Sequence, residues 1–302
     1  MKRVLLTGAS GFVGRTTIKY LLQRGYEVHG VTARSAVSDI PGIVCHDVDL
    51  LDSAAVDRLI RSVNPSHLLH FAWYVEHGKF WNAPENNQWV AASERLFESF
   101  VSAGGNRIVS AGTCAEYDWQ TGNGVFQETT SPIGPDTLYG QAKHELHMRL
   151  ETIARKTSVS YAWGRVFFLF GEWEQPGRFV PFVIRSLLND DEAKCSSGEQ
   201  IRDFMFVEDA GAAFVDLLDS DVGGAVNIGS GVSTKLADVA VMIAEIIGKP
   251  ELLRLGAIPN SAGEPKQLVA DITRLRDEVE FKPQTDLRSA LAETIDWWRD
   301  QK

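Results

Sequence analysis

A triplet of glycines near the start of the chain constrains the fold more than any other feature of the sequence. Gly8, Gly11 and Gly14 follow the apolar run Arg3–Thr7 and precede a segment with helical spacing. In such a turn the first glycine permits a sharp change of direction, the second lets a pyrophosphate approach, and the third lets helix pack on strand. A plain tight turn is the alternative, but the context favours a dinucleotide site. The turn residues predicted to contact the dinucleotide are Gly8, Ser10, Gly11, Phe12, Val13 and Gly14.

The rest of the chain predicts an α/β fold with a Rossmann-type, doubly wound parallel sheet. Short apolar runs such as Glu27–Thr32, His67–Phe71 and Arg107–Ser110 alternate with longer segments of helical spacing. This alternation is typical of a parallel sheet with helices on both faces. The pattern becomes less regular in the second half. We therefore expect a dinucleotide-binding Rossmann domain over residues 1–168 and a smaller substrate-binding region over 169–302, with some segments returning to the sheet.

Composition and charge exclude several classes of protein. The 302 residues include 30 Lys and Arg against 40 Asp and Glu, which gives a formal net charge of -10, and no basic run is present. We therefore expect no nucleic-acid partner and no membrane partner. There is no apolar run of the roughly 18 residues that a membrane span needs, and the three cysteines are scattered without metal-ligand spacing. We expect a cytoplasmic protein without a metal site.

The end of the second strand indicates which dinucleotide the site prefers. An NAD site usually carries Asp or Glu there, because a carboxylate binds both ribose hydroxyls. This strand ends at Thr32, no acid follows before Asp39, and Arg34 is able to clamp a 2′-phosphate. We expect NADP(H) to be preferred, with NAD(H) as the alternative. A solvated Arg34 in a loop is the competing interpretation, and Arg15 is a second candidate cation.

A tyrosine and a lysine four residues apart form a candidate catalytic pair. Tyr139 and Lys143 begin a run with helical spacing, so their side chains lie on the same side of the helix. The Lys143 ammonium is expected to stabilise the Tyr139 phenolate and so to lower the pKa of the phenol. Thr113 ends the stretch after the fifth strand, at the edge where ligands bind in such sheets, and its hydroxyl is a candidate donor to a substrate carbonyl. An ordinary surface pair is the alternative for Tyr139 and Lys143.

Together these features resemble the extended short-chain dehydrogenase/reductase family of nucleotide-sugar epimerases, dehydratases and reductases. The resemblance runs almost end to end, and its further motifs are His70-Phe71-Ala72, Arg165 to Gly171, Ile201-Arg202-Asp203-Phe204 with Val207 and Asp209, and Asn227-Ile228-Gly229. It implies that Thr113, Tyr139 and Lys143 are the catalytic residues. The cofactor contacts that it implies beyond the glycine turn are Asp47, Val48, Phe71, Ala72, Tyr139 and Lys143.

The resemblance also implies where a substrate binds. Arg202 matches an arginine that often contacts the substrate diphosphate, and Thr113 faces the reacting sugar. A structural Arg202, paired with Asp203 or Asp209, is the alternative. The chain departs from the family in an aromatic region of four residues. We assign Trp73 to an altered sugar or base pocket, and we expect at least two of the four to serve helix and loop packing instead. The other aromatic residues of this region are Tyr74, Trp81 and Trp89, the last standing where the family usually has Asn.

Several reactions are compatible with this scaffold. Dehydratases of the family carry two carboxylates where this chain has Cys114 and Ala115, so dehydration is disfavoured. We expect NADPH-dependent reduction of a keto group, at carbon 4, on a nucleotide-linked deoxysugar, with Tyr139 as proton donor. An epimerase with tightly bound NAD(P) and a non-catalytic NADP-binding sensor are the alternatives. The resemblance further implies a homodimer formed through helices near residues 84–103 and 140–156.

Overall fold

The computed structural model describes residues 2–32, 41–261 and 263–301. Arg34, the predicted ligand of a 2′-phosphate, lies outside the described residues. The strands are β1 (Arg3–Thr7), β2 (Glu27–Thr32), β3 (Ile43–Asp47), β4 (His67–His70), β5 (Arg107–Thr113), β6 (Val125–Phe126), β7 (Ser160–Val166), β8 (Phe168–Phe170), β9 (Ala193–Lys194), β10 (Ile201–Phe206), β11 (Gly224–Ile228), β12 (Ser233–Lys235), β13 (Leu253–Arg254) and β14 (Gln267–Ala270). The α-helices are α1 (Phe12–Gln23), α2 (Ser53–Val63), α3 (Glu85–Ser102), α4 (Leu138–Lys156), α5 (Phe179–Leu188), α6 (Val207–Asp219), α7 (Leu236–Ile247), α8 (Thr273–Asp277) and α9 (Leu287–Asp300).

Seven parallel strands form the main sheet in the order β11-β7-β5-β4-β1-β2-β3. Both faces are covered, as the unbroken apolar runs of its strands require. Leu6 of β1 packs in a cluster with α1 and α6, whereas its neighbour Leu5 packs on the opposite face with α2, α3 and α4. The predicted α/β fold with a Rossmann-like parallel sheet is therefore confirmed.

A second, smaller sheet lies in the C-terminal half of the chain. Its strands follow the order β12-β10-β14-β6, with β8 beside β10, and β12 runs antiparallel to β10. Helices α5, α7 and α9 share an apolar cluster beside it. Helix α5 begins at Phe179 and helix α6 at Val207, in the half of the chain where the sequence pattern is less regular.

Two segments beyond residue 168 lie in or against the main sheet. β11 pairs with β7 at the edge of the sheet, and α6 packs on α1 through residues such as Phe214. The predicted boundary falls at the first residue of β8, and the boundary itself stays a prediction. Within the described residues, no helix is both long enough and apolar enough to cross a membrane.

Candidate active site

The glycine turn between β1 and α1 leaves the start of the helix open. Gly8 has φ +69, and a Cβ there would lie 2.9 Å from the Ala72 nitrogen. A Cβ at Gly14 would lie 2.1 Å from the Gly8 oxygen, so the third glycine is what lets α1 approach the strand this closely. Among the described residues no side chain caps the first turn of α1 at Gly11. The first N–H groups of the helix are therefore not occupied by a capping side chain and are available to an anion.

Further predicted cofactor residues lie at the same edge, because parallel strands share their carboxyl ends. Asp47 is the exposed last residue of β3, opposite Thr32 in the register, and the Val48 N–H donates to the Thr32 oxygen at 3.3 Å. Phe71 and Ala72 directly follow β4. The predicted cofactor residues that the structure brings to this edge are Gly8, Ser10, Gly11, Phe12, Val13, Gly14, Asp47, Val48, Phe71 and Ala72.

The three predicted catalytic residues converge at the carboxyl end of β5. Thr113 is the last residue of that strand, three residues beyond the predicted strand end, and it shares a hydrogen bond with Tyr139. Helix α4 packs closely against the turn after β5 because residue 140 is a glycine. A Cβ at this position would lie 2.4 Å from the Ala115 oxygen. The Lys143 ammonium, one turn further along α4, donates to the Ala111 oxygen at 2.8 Å.

Burial controls the protonation of the Tyr139–Lys143 pair. Burial raises the pKa of the Tyr139 phenol above its ordinary value, and the hydrogen bond with Thr113 opposes this only in part. Burial lowers the pKa of Lys143 to about 7. The pKa of Tyr139 is therefore raised, not lowered as the sequence predicted, because desolvation of the phenolate is the largest influence on it. At neutral pH Tyr139 holds its proton and Lys143 is close to its titration midpoint.

An aromatic wall surrounds this pair. The Lys143 ammonium lies 3.9 Å from the centre of the Trp73 ring, and Trp73 is buried and donates to the Asn86 side chain at 2.8 Å. Phe80 and Trp81 meet the Tyr139 ring edge to face, at 4.9 and 5.8 Å. Trp73, predicted as a substrate residue, thus contacts Lys143, and its contact with a substrate stays a prediction.

His70 joins three elements beneath the cofactor edge. Its two ring nitrogens lie 2.7 Å from Thr7 Oγ1 and 2.9 Å from Ser93 Oγ. Because Thr7 Oγ1 accepts from the N–H groups of Phe71 and Ala72, its own hydrogen is free to donate to His70 Nδ1. The pKa of His70 is lowered to about 3 by burial and by the charge of Lys143, so the ring is neutral.

A buried carboxylate next to the catalytic residues escaped the sequence analysis. Glu116 is fully buried, one position after the pair Cys114-Ala115 that replaces two family carboxylates. Its side chain accepts hydrogen bonds from the Thr113 N–H at 3.0 Å and from Trp163 Nε1 at 2.8 Å. The signal in the sequence was present, because an acid follows Thr113 by three residues, which is the spacing of a capping box.

Arg202, which the sequence predicts to bind the substrate diphosphate, lies in the second sheet with protein partners for its guanidinium. Its guanidinium is paired with Glu264 at 2.7 Å and donates to the backbone oxygens of Ile201 and Pro265. The alternative partners, Asp203 and Asp209, are not involved. Asp203 accepts from Ser230, Gly231 and Ala270, and Asp209 from Gln284 and Thr285.

The protein belongs to the NAD dependent epimerase/dehydratase family, whose sequence profile matches residues 4–229. This places it among the extended short-chain dehydrogenases/reductases that its motifs resemble. The open helix start and the glycine cradle fit the NAD(P) cofactor of that family. Membership of this family identifies the protein as an enzyme of the epimerase/dehydratase class.

Known proteins similar to this chain include epimerases and dehydratases. It is 26% identical to a UDP-glucose 4-epimerase from Rhizobium leguminosarum bv. trifolii, over 97% of this chain and 96% of the relative. It is 22% identical to a dTDP-glucose 4,6-dehydratase from Xanthomonas campestris pv. campestris, over 97% and 92%. The structure of a Thermotoga maritima UDP-glucose 4-epimerase with UDP-glucose matches with TM-score 0.89 and 21% identity, over 99% of both chains. That of the Thermus thermophilus UDP-glucose 4-epimerase in complex with NAD matches with TM-score 0.87 and 23% identity, over 98% and 99%.

Proposed function

We propose that this protein acts on nucleotide-linked sugars by hydride exchange at a ring carbon, with epimerisation at carbon 4 as its reaction. The observation that carries the proposal is the convergence of Thr113, Tyr139 and Lys143 at the carboxyl end of β5, beside the open glycine turn. The names of the relatives support it, since UDP-glucose 4-epimerases match this chain almost end to end.

The roles of the side chains follow from their positions. A nicotinamide bound at this edge supplies the hydride acceptor and donor. Epimerisation requires Tyr139 to react as the phenolate: its Oη then takes the proton of the sugar hydroxyl when the carbonyl forms, and returns it to the oxygen after the sugar has turned. Thr113 hydrogen-bonds with the same oxygen and stabilises the charge that develops there. Protonated Lys143 contributes a positive charge near Tyr139 and Thr113. The Ala111 oxygen and the Trp73 ring hold its ammonium in place.

Reduction of a keto sugar by NADPH, which the sequence analysis expected, is the second candidate. Reduction begins when Tyr139 donates a proton, whereas epimerisation begins when Tyr139 accepts one. The raised pKa of Tyr139 favours the donating role. The described part of β2 also ends at Thr32 without a carboxylate for the ribose hydroxyls.

One pair of assays separates the candidates. UDP-glucose and related nucleotide sugars are incubated with the protein and NAD, and the products are resolved by chromatography. In parallel, NADPH oxidation is followed with a panel of nucleotide 4-keto-6-deoxy sugars. Interconversion of two sugars without net cofactor change supports epimerisation, and stoichiometric NADPH loss supports reduction. Cofactor binding with neither reaction would overturn both and support the NADP-binding sensor. Tyr139→Phe is the control for each assay.

Cofactor choice is a separate proposal. We infer a preference for NADP(H) from Arg34 and from the absence of an acid at Thr32, although a solved relative carries NAD. Arg34→Ala is expected to raise the KM for NADPH and to leave that for NADH little changed. Arg24→Ala is the matched control, because Arg24 lies at the opposite end of α1 from the glycine turn and pairs with Asp219. Equal use of both cofactors by the unmutated protein contradicts the proposal.

A homodimer through α3 and α4 also stays a proposal. These helices pack side by side, and a groove of about 880 Å³ runs along them and α2. The exposed Met148 lies in this groove. Sedimentation of the unmutated protein and of Met148→Glu tests the proposal, since a charge at a dimer interface is expected to shift the protein to monomer. A monomeric unmutated protein contradicts it.

A further inference from the structure

The Glu116 carboxylate is held by donors from several elements. Oε1 accepts from the Thr113 N–H and from Trp163 Nε1, and Oε2 accepts from Arg165 Nε at 3.1 Å. Nδ1 of His144 and Nδ1 of His147, both on α4, each lie 3.8 Å from Oε2. A buried acid with this many donors is ionised. Burial would raise the pKa of Glu116, but His144, Arg165 and His147 lower it to about 2.

The cluster is a charge centre rather than a cation site. Glu116, His144 and His147 place ligand atoms within 4.8 Å of one another, which is compatible with a metal ion. The Arg165 guanidinium, however, is buried and already pairs with the carboxylate. A divalent ion would add two positive charges beside it in a dry interior, at a large desolvation cost.

This carboxylate lies directly behind the catalytic residues. Thr113, whose N–H it accepts, shares a hydrogen bond with Tyr139. Lys143 is the residue before His144 on α4, and its ammonium binds the Ala111 oxygen on the same strand as Thr113. Glu116 therefore contacts the strand that carries Thr113 and faces the helix that carries Tyr139 and Lys143.

We propose that Glu116 is a positioning residue, whose carboxylate fixes the Thr113 main chain and places a negative charge behind the Tyr139–Lys143 pair so that both side chains keep their protons. The inference rests on the proposed function only for the roles of Tyr139 and Lys143. A negative charge disfavours the phenolate and favours the ammonium, so it acts on both in the same direction. Its consequence is a site biased toward giving a proton to a sugar oxygen.

Other charged groups face the same residues and set the background for a test. Lys143 also faces the neutral His70 of β4 and the ring of Trp73. The groups that face Tyr139 or Glu116 are Cys114 from the turn after β5, Arg178 from the segment before α5, Arg165 from β7, and His144 and His147 from α4. Apart from Glu116, the groups named here are cationic or neutral at pH 7.

The test measures the titration of Lys143 itself. The protein is labelled selectively at the lysine side chains, and the signal of Lys143 is assigned by its loss in Lys143→Met. Its midpoint near pH 7 is expected to fall by at least about one pH unit in Glu116→Gln, because at an effective dielectric constant of about 20 a unit charge within roughly 12 Å shifts a pKa by that much. Glu116→Asp retains the charge and is expected to retain most of the midpoint.

A matched control separates charge from general loosening. Glu128 is a half-buried carboxylate in another part of the fold, which accepts a hydrogen bond from the Asn227 N–H at 2.7 Å. Glu128→Gln is expected to leave the Lys143 midpoint unchanged. Because Glu116→Gln leaves Arg165 buried without its anion, the double variant Glu116→Gln/Arg165→Met provides a version without that unpaired charge.

The outcomes decide the inference without reference to turnover. A midpoint in Glu116→Gln or in the double variant that matches the unmutated protein overturns it, and so does an equal shift in Glu128→Gln. A shift confined to the Glu116 variants supports it even if no nucleotide sugar is turned over, in which case only the proposed function fails. Where turnover is measurable, the alkaline limb of kcat against pH is expected to move down by the same interval in Glu116→Gln. A purely structural role would lower kcat at every pH without that displacement.

Discussion

The main sheet and the second sheet place their charged motif residues in different surroundings. Beside the end of β5 in the main sheet, the Lys143 ammonium of α4 contacts the Ala111 carbonyl and the Trp73 ring. On β10 in the second sheet, Arg202 donates to Glu264 and to two backbone oxygens. The first arrangement leaves a charge poised to respond to a ligand, whereas the second uses the charge to hold strands and loops together. A motif match alone does not distinguish these two outcomes.

The largest effect is expected at the main sheet. Tyr139→Phe removes the only proton that Tyr139 can exchange with a sugar oxygen, and we expect turnover to fall by about 100-fold or more, as for general acids and bases. Cofactor affinity, measured by fluorescence titration, is expected to stay within about twofold. Retention of most activity would contradict the assigned mechanism.

The next largest effect is expected for the lysine beneath it. Lys143→Met keeps much of the side-chain length but removes the charge, and we expect losses of about 10- to 100-fold in turnover, from the 1.5–3 kcal/mol of a charged hydrogen bond. Cofactor affinity is expected to fall as well, because the family resemblance places the ammonium at the cofactor. Steady-state kinetics and cofactor titration measure the two effects separately. An unchanged cofactor affinity would remove Lys143 from the cofactor site.

Arg202 provides the test of the other side of the comparison. Arg202→Met leaves Glu264 without its partner, and we expect the free energy of unfolding to fall by about 2 kcal/mol, measured by urea denaturation. The KM for the nucleotide sugar is expected to change less than threefold. Glu264→Gln is the matched variant, with a smaller loss of stability. A tenfold rise in KM for Arg202→Met alone would restore the diphosphate contact that the sequence predicted.

The smallest effect of a single substitution is expected on the slope of stability against pH, to which buried histidines beside the main sheet contribute. Burial lowers the pKa of His70 to about 3 and that of His147 to about 4. Below about pH 6.5 these histidines are therefore protonated in the unfolded chain while they stay neutral in the folded chain. Stability from these groups is complete above pH 6.5 and is lost as pH falls toward 4, by about 1.4 kcal/mol per pH unit for each histidine. Urea denaturation from pH 7 to 4 measures the slope. His147→Phe retains the aromatic stack on Trp163, at 5.0 Å, and is expected to reduce that slope. An unchanged slope would show that His147 is not the group involved.

Local patterns predicted the cofactor half of the molecule well. The bounds of β1 and β2 agree with the sequence prediction at both ends, because each is a short apolar run between polar residues and a turn. The glycine turn leads directly into α1, which begins at Phe12. These features depend on neighbours in the sequence, which periodicity and turn chemistry record.

The features that sequence reasoning missed depend on partners far along the chain. Arg202 finds Glu264, 62 residues away, and Glu116 finds Trp163, 47 residues away. The raised pKa of Tyr139 comes from burial among residues of other elements, which a spacing of four along a helix does not reveal. The predicted sign of that shift failed for this reason.

Gly112, Glu116 and Trp163 depend on one another sterically, so a change at one of them requires a change at the others. A Cβ at this position would lie 2.1 Å from Trp163 Nε1 and 2.5 Å from Glu116 Oε1. A buried acid at 116 therefore requires a bare backbone at 112 as well as a donor on the neighbouring strand. Transplanting the 112–116 turn into a relative that lacks Trp163 would leave the acid short of a donor, and a side chain introduced at 112 would collide with the acid. Exchange of this turn between family members is therefore expected to succeed only when the residue on β7 travels with it.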